Sequence, residues 1–198
     1  MELIVIMGPQ AVGKMTVGQT LEKRRDAKLL YNHQTLDLYA NFLGYGKEAF
    51  RLSDETRLNL FQTFVENKTN VVSGIIFTVL VAFDNEEDMV FLEKIKTIFE
   101  EADGKVYFVE LEASLEKRLE RNVGDSRLQA KPSKRDIAFS RNELLTSMKK
   151  YRLNSLPGQM EKRFPNTPYL RIDNTDLSAD EVADKVQVFI ENHENSVR

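Results

Sequence analysis

Cysteine is absent from the 198 residues. That excludes a disulfide framework and thiolate chemistry, and the expected setting is the reducing cytoplasm. Long apolar runs are absent too. The N-terminal apolar stretch, residues 3–7, has no basic flank and is too short for a signal peptide or a membrane span. Neither charge sign dominates. There are 28 Lys and Arg against 31 Asp and Glu, a formal net charge of −3, which argues against a nucleic-acid surface over the whole molecule but leaves room for a local basic site. Internal repeats and a long linker are also missing. What remains, 41% apolar and 30% charged residues, fits one globular domain over 1–198 with a core that needs no staples.

Apolar runs alternate with amphipathic stretches. Residues 2–7 (ELIVIM) form a continuous run rich in β-branched residues, as expected of a strand buried on both faces of a parallel sheet. Further strands are predicted at 27–32, 69–77, 105–112 and 169–174. Helical patterns are predicted from within the loop after the first strand to about residue 25, and at 84–102, 114–122 and 178–192. The last of these opens with Ser178-x-x-Glu181, a capping box. Such alternation predicts an α/β chain: a three-layer αβα sandwich around a five-stranded, mostly parallel sheet. Two insertions break the rhythm. Residues 32–68 are rich in aromatics, and their later part (Leu58, Phe61, Phe64, Val65) has helical spacing. Residues 122–150 are dense in Arg and Lys.

Between the first strand and first helix lies Gly8-x-x-x-x-Gly13-Lys14. Its glycines let the chain curl so that backbone N–H groups, including those of Ala11 and Val12, face inward toward phosphate. The helix N-terminus adds its positive end, and Lys14 can follow the charge of a phosphoryl group as it moves. The next residue is Met15, where a magnesium-binding hydroxyl usually stands, and Thr16 follows. This loop resembles that of adenylate kinase and related nucleoside monophosphate kinases, whose run is Gly-Lys-Gly-Thr. The resemblance implies ATP as cofactor, with Gly8 through Thr16 binding it. Mg²⁺ is then supported at Thr16 through water.

The basic stretch KRLERNVGDSRL, after the predicted fourth strand, resembles the lid region of adenylate and shikimate kinases. There, an arginine of an Arg-Leu pair at the lid base lies near the nucleotide and lid arginines close over the transferring phosphate. The resemblance assigns Arg118 to the nucleotide and Arg127 to the phosphoryl group, with Arg121 a further catalytic candidate. Arg118 and Arg121, three apart, share a helix face. Arg135 and Arg141 are weaker candidates. The loop after the fifth strand, Asp173-Asn174-Thr175, lies against adenine in such kinases; here its residues serve equally well as turn formers.

In these kinases the segment after strand two holds the acceptor. In extended chain His33, Thr35 and Asp37 would share one face. His33 and Thr35 are acceptor-binding candidates. Asp37 is the candidate carboxylate base, and His33 is an alternative base. The third strand lacks the Asp of a standard magnesium site. Ser73-Gly74 and Thr78 are read as its end, and Asp84 as a helix N-cap. Gly74 resembles the glycines that shikimate kinase uses in this region, which makes it an acceptor-binding candidate. The whole order implies a kinase that moves the γ-phosphoryl group of ATP to a small hydroxyl or phosphate acceptor. The alternative is a nucleotide-binding regulator acting through a protein partner. A monomer or homodimer with no nucleic-acid or membrane partner is expected.

Overall fold

The structure, a computed structural model, describes residues 1–123 and 137–196. Five strands form one sheet: β1 (Glu2–Met7), β2 (Ala27–Tyr31), β3 (Gly74–Val79), β4 (Lys105–Glu112) and β5 (Tyr169–Asp173). Their order is β2-β3-β1-β4-β5, and every pairing is parallel. β1 and β3 are buried along their whole lengths, which is why they read as unbroken apolar runs rather than alternating ones.

The two faces of β1 feed different cores. Leu3, Val5 and Met7 pack with Phe61, Phe77, Leu92 and Phe99. Ile4 and Ile6 pack with Val17, Leu21, Val182 and Val186. Period-two alternation thus builds three layers from one strand. The first face carries α3 (Lys47–Glu66) and α4 (Glu86–Glu100), with the short α7 (Gln159–Arg163) closing its edge. The other face carries α1 (Lys14–Glu22) and α8 (Ala179–Ser196). α2 (Asn32–Leu43) lies against α3, and α5 (Leu115–Asn122) lies against α6 (Ile137–Lys150). Among the described residues no helix is long and apolar enough to cross a membrane.

Parallel strands put all their C-terminal ends on one edge, and β1 is the central strand there, with its neighbours connected to opposite sides. That edge is where open α/β sheets bind ligands. The expected three layers and five strands are present, and the sheet is wholly parallel. Two local expectations change. β3 begins at Gly74, not 69, because Ser73 turns its N–H and hydroxyl to the Asp26 carbonyl. Residues 32–43 are helical rather than extended, so His33 and Asp37 meet as neighbours one turn apart while Thr35 faces elsewhere.

Candidate active site

The loop after β1 is held in a shape few residues can adopt. Gly8 has φ 138°, and a Cβ there would stand 2.3 Å from the Leu111 carbonyl oxygen of β4. Gly13, with φ 105°, is the N-cap of α1. Ala11 between them has φ 60°, a left-handed conformation that costs an L residue about 1–2 kcal/mol. Lys14 folds back over the loop, and its Nζ donates to the carbonyls of Gly8 and Pro9, the latter at 2.8 Å. Ammonium, curled backbone and helix N-terminus therefore converge at one point, at the mouth of a cavity of about 1420 Å³. Met15 and Thr16 line the same cavity.

The lid-base arginines brace this loop. Arg118 is only 3% exposed, and its Nε donates to the Gln10 carbonyl at 2.9 Å. One Nη contacts Met148 Sδ of α6 at 3.3 Å. Burial pushes its guanidinium down to about 10, so it stays charged at neutral pH. Arg121 lines the cavity and donates to the carbonyls of Val12, Asn174 and Thr175, the shortest contact being 2.8 Å to Asn174. Asn174, 3% exposed, returns its own Nδ2 to the Val12 carbonyl at 2.8 Å. The asparagine read as a turn former is thus a buried tie between the β5 end and the phosphate loop. Its side chain gives no sequence sign of that partner 162 positions away. Arg141 is exposed and does not line the cavity, while Arg127 and Arg135 lie outside the described residues.

The opposite wall comes from α2, α3 and the start of α4. His33 lines the cavity, with its Nδ1 2.8 Å from Asp37 Oδ1, and Tyr45 donates to the same oxygen at 2.9 Å. Asp37 itself stands behind His33, not on the cavity wall. Thr35 is corrected as an acceptor contact. It is 8% exposed, and its hydroxyl is spent on Ser53 and on Arg57 Nε, both at 2.8 Å. Gly74 is corrected as well. It opens β3 beside Glu2, at the sheet edge opposite the phosphate loop, so Thr78 through Ala82 border the cavity instead.

Three residues of this wall were not foreseen. Arg57, 4% exposed, reaches Asp54 at 2.7 Å and the Asn32 carbonyl at 2.8 Å, and lies 5.6 Å from the Phe77 ring centroid. Asp54 and Asp88 also line the cavity. Burial raises both carboxyls and lowers the Arg57 guanidinium, and the charge of Asp54 raises Asp88 further. A signal did exist. The α3 face that buries Phe61 and Phe64 carries Arg57 and Ser53 one and two turns earlier, polar groups where a pure core helix would carry apolar ones.

After β3 no carboxylate stands at the strand end. Asp84 accepts from the Arg152 N–H at 3.0 Å, and the N-cap of α4 is Asn85, not Asp84. Asp88 accepts from the Ala82 N–H at 2.7 Å, one turn into α4. Among the described residues no cluster of three His, Asp or Glu could cage a metal. Thr16, exposed on the same cavity, offers a hydroxyl to a magnesium ion carried by nucleotide phosphates and water.

No protein-family model matches this sequence, and no curated protein matches it either. Solved structures do. A gluconokinase from Sinorhizobium meliloti 1021 superposes with a TM-score of 0.60 at 11% identity, over 99% of this chain and 95% of that one. This is a P-loop kinase fold. A shikimate kinase from Acinetobacter baumannii in complex with shikimate gives 0.51 at 19% identity, over 96% and 93%. An APS kinase from Mycobacterium tuberculosis in complex with AMPPNP and APS gives 0.51 at 15%, over 96% and 97%. At these identities the likeness concerns the fold.

Proposed function

We propose that this chain is an ATP-dependent phosphotransferase acting on a small hydroxylated acceptor. The observation that carries the reading is one cavity shared by a Lys14-capped phosphate loop and by the His33, Asp54, Arg57 and Asp88 wall. Nucleotide phosphates fit the loop, and the acceptor fits the wall opposite. Small-molecule kinases among the structural neighbours support the same assignment.

In the reaction the acceptor oxygen forms a bond to the γ-phosphorus. The bond from that phosphorus to the β,γ-bridging oxygen breaks, and ADP leaves with the electron pair. Lys14 follows the migrating charge, and Arg127 is kept as the lid arginine. His33 takes the hydroxyl proton, with Asp37 orienting it through Nδ1. Arg118 and Arg121 hold the loop carbonyls in place and so position the nucleotide. Magnesium, when bound with ATP, neutralises phosphate charge, and Thr16 would support it through water. The proposed setting is cytoplasmic, as a monomer or homodimer.

Calorimetry with ATP, together with a phosphoryl-acceptor screen, tests this. Wild type binds ATP and forms ADP only with acceptor present, and Lys14→Ala loses at least a hundredfold in transfer rate. Equal ATP binding and turnover by Lys14→Ala would sink the reading. The missing carboxylate at the β3 end favours a second reading, a nucleotide-dependent regulator. A stoichiometric protein partner retained only with ATP, and no acceptor turned over, would select it.

A further inference from the structure

We infer that the acceptor is an alcohol bearing a protonated amine, recognised by Asp54 and Asp88. This rests on the kinase reading above and specifies the wall that faces Lys14. Among the described residues the charged groups on that wall are Asp54, Glu87 and Asp88 against Arg57, with His33 as the further titratable group. Arg57 offers an anion little, because its charge is already paired with Asp54 at 2.7 Å. Its Nε, Nη1 and Nη2 each donate within the protein, to Thr35, Asp54 and the Asn32 carbonyl, and the side chain is buried over Phe77. A carboxylate or phosphate on the acceptor would therefore sit among like charges, which costs free energy in a partly desolvated cavity.

A neutral polyol could accept and donate hydrogen bonds here but would leave the excess negative charge standing. An ammonium group offsets it. Burial already disfavours the ionised forms of Asp54 and Asp88, so a cation between them relieves a cost that exists in the empty wall. Tyr45, Phe50 and Phe91 line the same half of the cavity and offer aromatic faces, which attract cations and cover the apolar part of an amino alcohol. Among the described residues neither adjoining side reverses the sign. Glu120 joins Arg121 on the lid base, while Lys14 belongs to the nucleotide phosphates.

The test is an ADP-release assay with acceptors in three charge classes: amino sugars and amino alcohols, neutral sugars and polyols, and hydroxy acids with nucleoside monophosphates. The amine class is expected to give kcat/KM at least tenfold above the others. N-acetylation of the best amine, which removes charge from the same skeleton, should cost at least tenfold. Asp54→Asn and Asp88→Asn should each raise KM for that amine at least tenfold while KM for ATP stays within twofold. Thermal unfolding checks that both variants fold. If Asp88→Asn does not, Asp54→Asn, which keeps an oxygen for Arg57, decides alone. A neutral or anionic acceptor used best, or an amine KM untouched by Asp54→Asn, overturns the inference and leaves the kinase reading standing. ATP binding without turnover of any class overturns both.

Discussion

Asn174 donates from its Nδ2 to the carbonyl of Val12 over 2.8 Å, and its own carbonyl accepts from Arg121 at the same distance. The two residues thus grip the phosphate loop from the β5 side, in a buried position. Truncation of Asn174 takes one of two donors from the Val12 carbonyl and a side-chain acceptor from Arg121, at a cost of about 1–3 kcal/mol. For a chain of this size that corresponds to roughly 2–12 °C in melting temperature. Asn174→Ala is expected to show that loss by calorimetry and to weaken ATP binding about tenfold. An unchanged ATP affinity would mean that the loop holds its shape without this tie.

Thr16 is exposed at the start of α1 and faces the cavity. If its hydroxyl supports magnesium one place later than usual, Thr16→Ala should raise the magnesium concentration needed for half-maximal turnover several-fold. ATP binding measured with EDTA present should not change. Equal magnesium titrations for both proteins would remove Thr16 from the site.

Asp37 holds His33 Nδ1 and accepts from Tyr45 at one oxygen. Asp37→Ala should lower kcat about tenfold to a hundredfold, part of the ~10²–10⁴ that a positioned base contributes. ATP affinity should stay the same. Asp37→Asn keeps an oxygen for the ring N–H and should recover most of the rate. Equal kcat in Ala and Asn variants would show that Asp37 does not act through the imidazole.

Asp88 carries a raised carboxyl, caused first by burial and then opposed by the Ala82 N–H. Its folded value lies above its unfolded one, so the folded protein binds the proton more readily. The penalty is therefore present at neutral pH and disappears below about pH 4, where both states are protonated. Asp88→Asn should melt higher than wild type at pH 7, with the gain shrinking as pH falls toward 4. A gain that grows on acidification would reverse the sign argued here.

The strands were legible because burial on both faces leaves an unbroken apolar run. The fourth strand was read at 105–112 and is found at Lys105–Glu112. The phosphate loop was legible because its glycines are demanded locally, by positive φ and by the Leu111 carbonyl beside Gly8. The start of α2 was not, because Tyr31 supplies no side-chain cap and nothing local signals the switch from strand to helix. Asp54 and Asp88 stand in charge-rich helices, where a cavity-facing group looks like any solvated one. Only the packing of α3 against β3 and α4 separates them. Gly74 was misread for the opposite reason: its sequence context suits a ligand, but the parallel register puts it at the wrong end of the strand.

The chain on either side of α6 is tied to different parts of the cavity. On the α5 side, Arg118 links the Gln10 carbonyl to Met148. Just after α6, Arg152 is bound both ways to Phe83 and donates its N–H to Asp84, in the loop that leads to Asp88. Glu110, fully buried in β4, then fixes Asn154 and the Ser155 N–H. Through Met148 and Arg152, α6 therefore joins the phosphate-loop side of the cavity to the side that carries Asp88, so one helix is anchored to both walls.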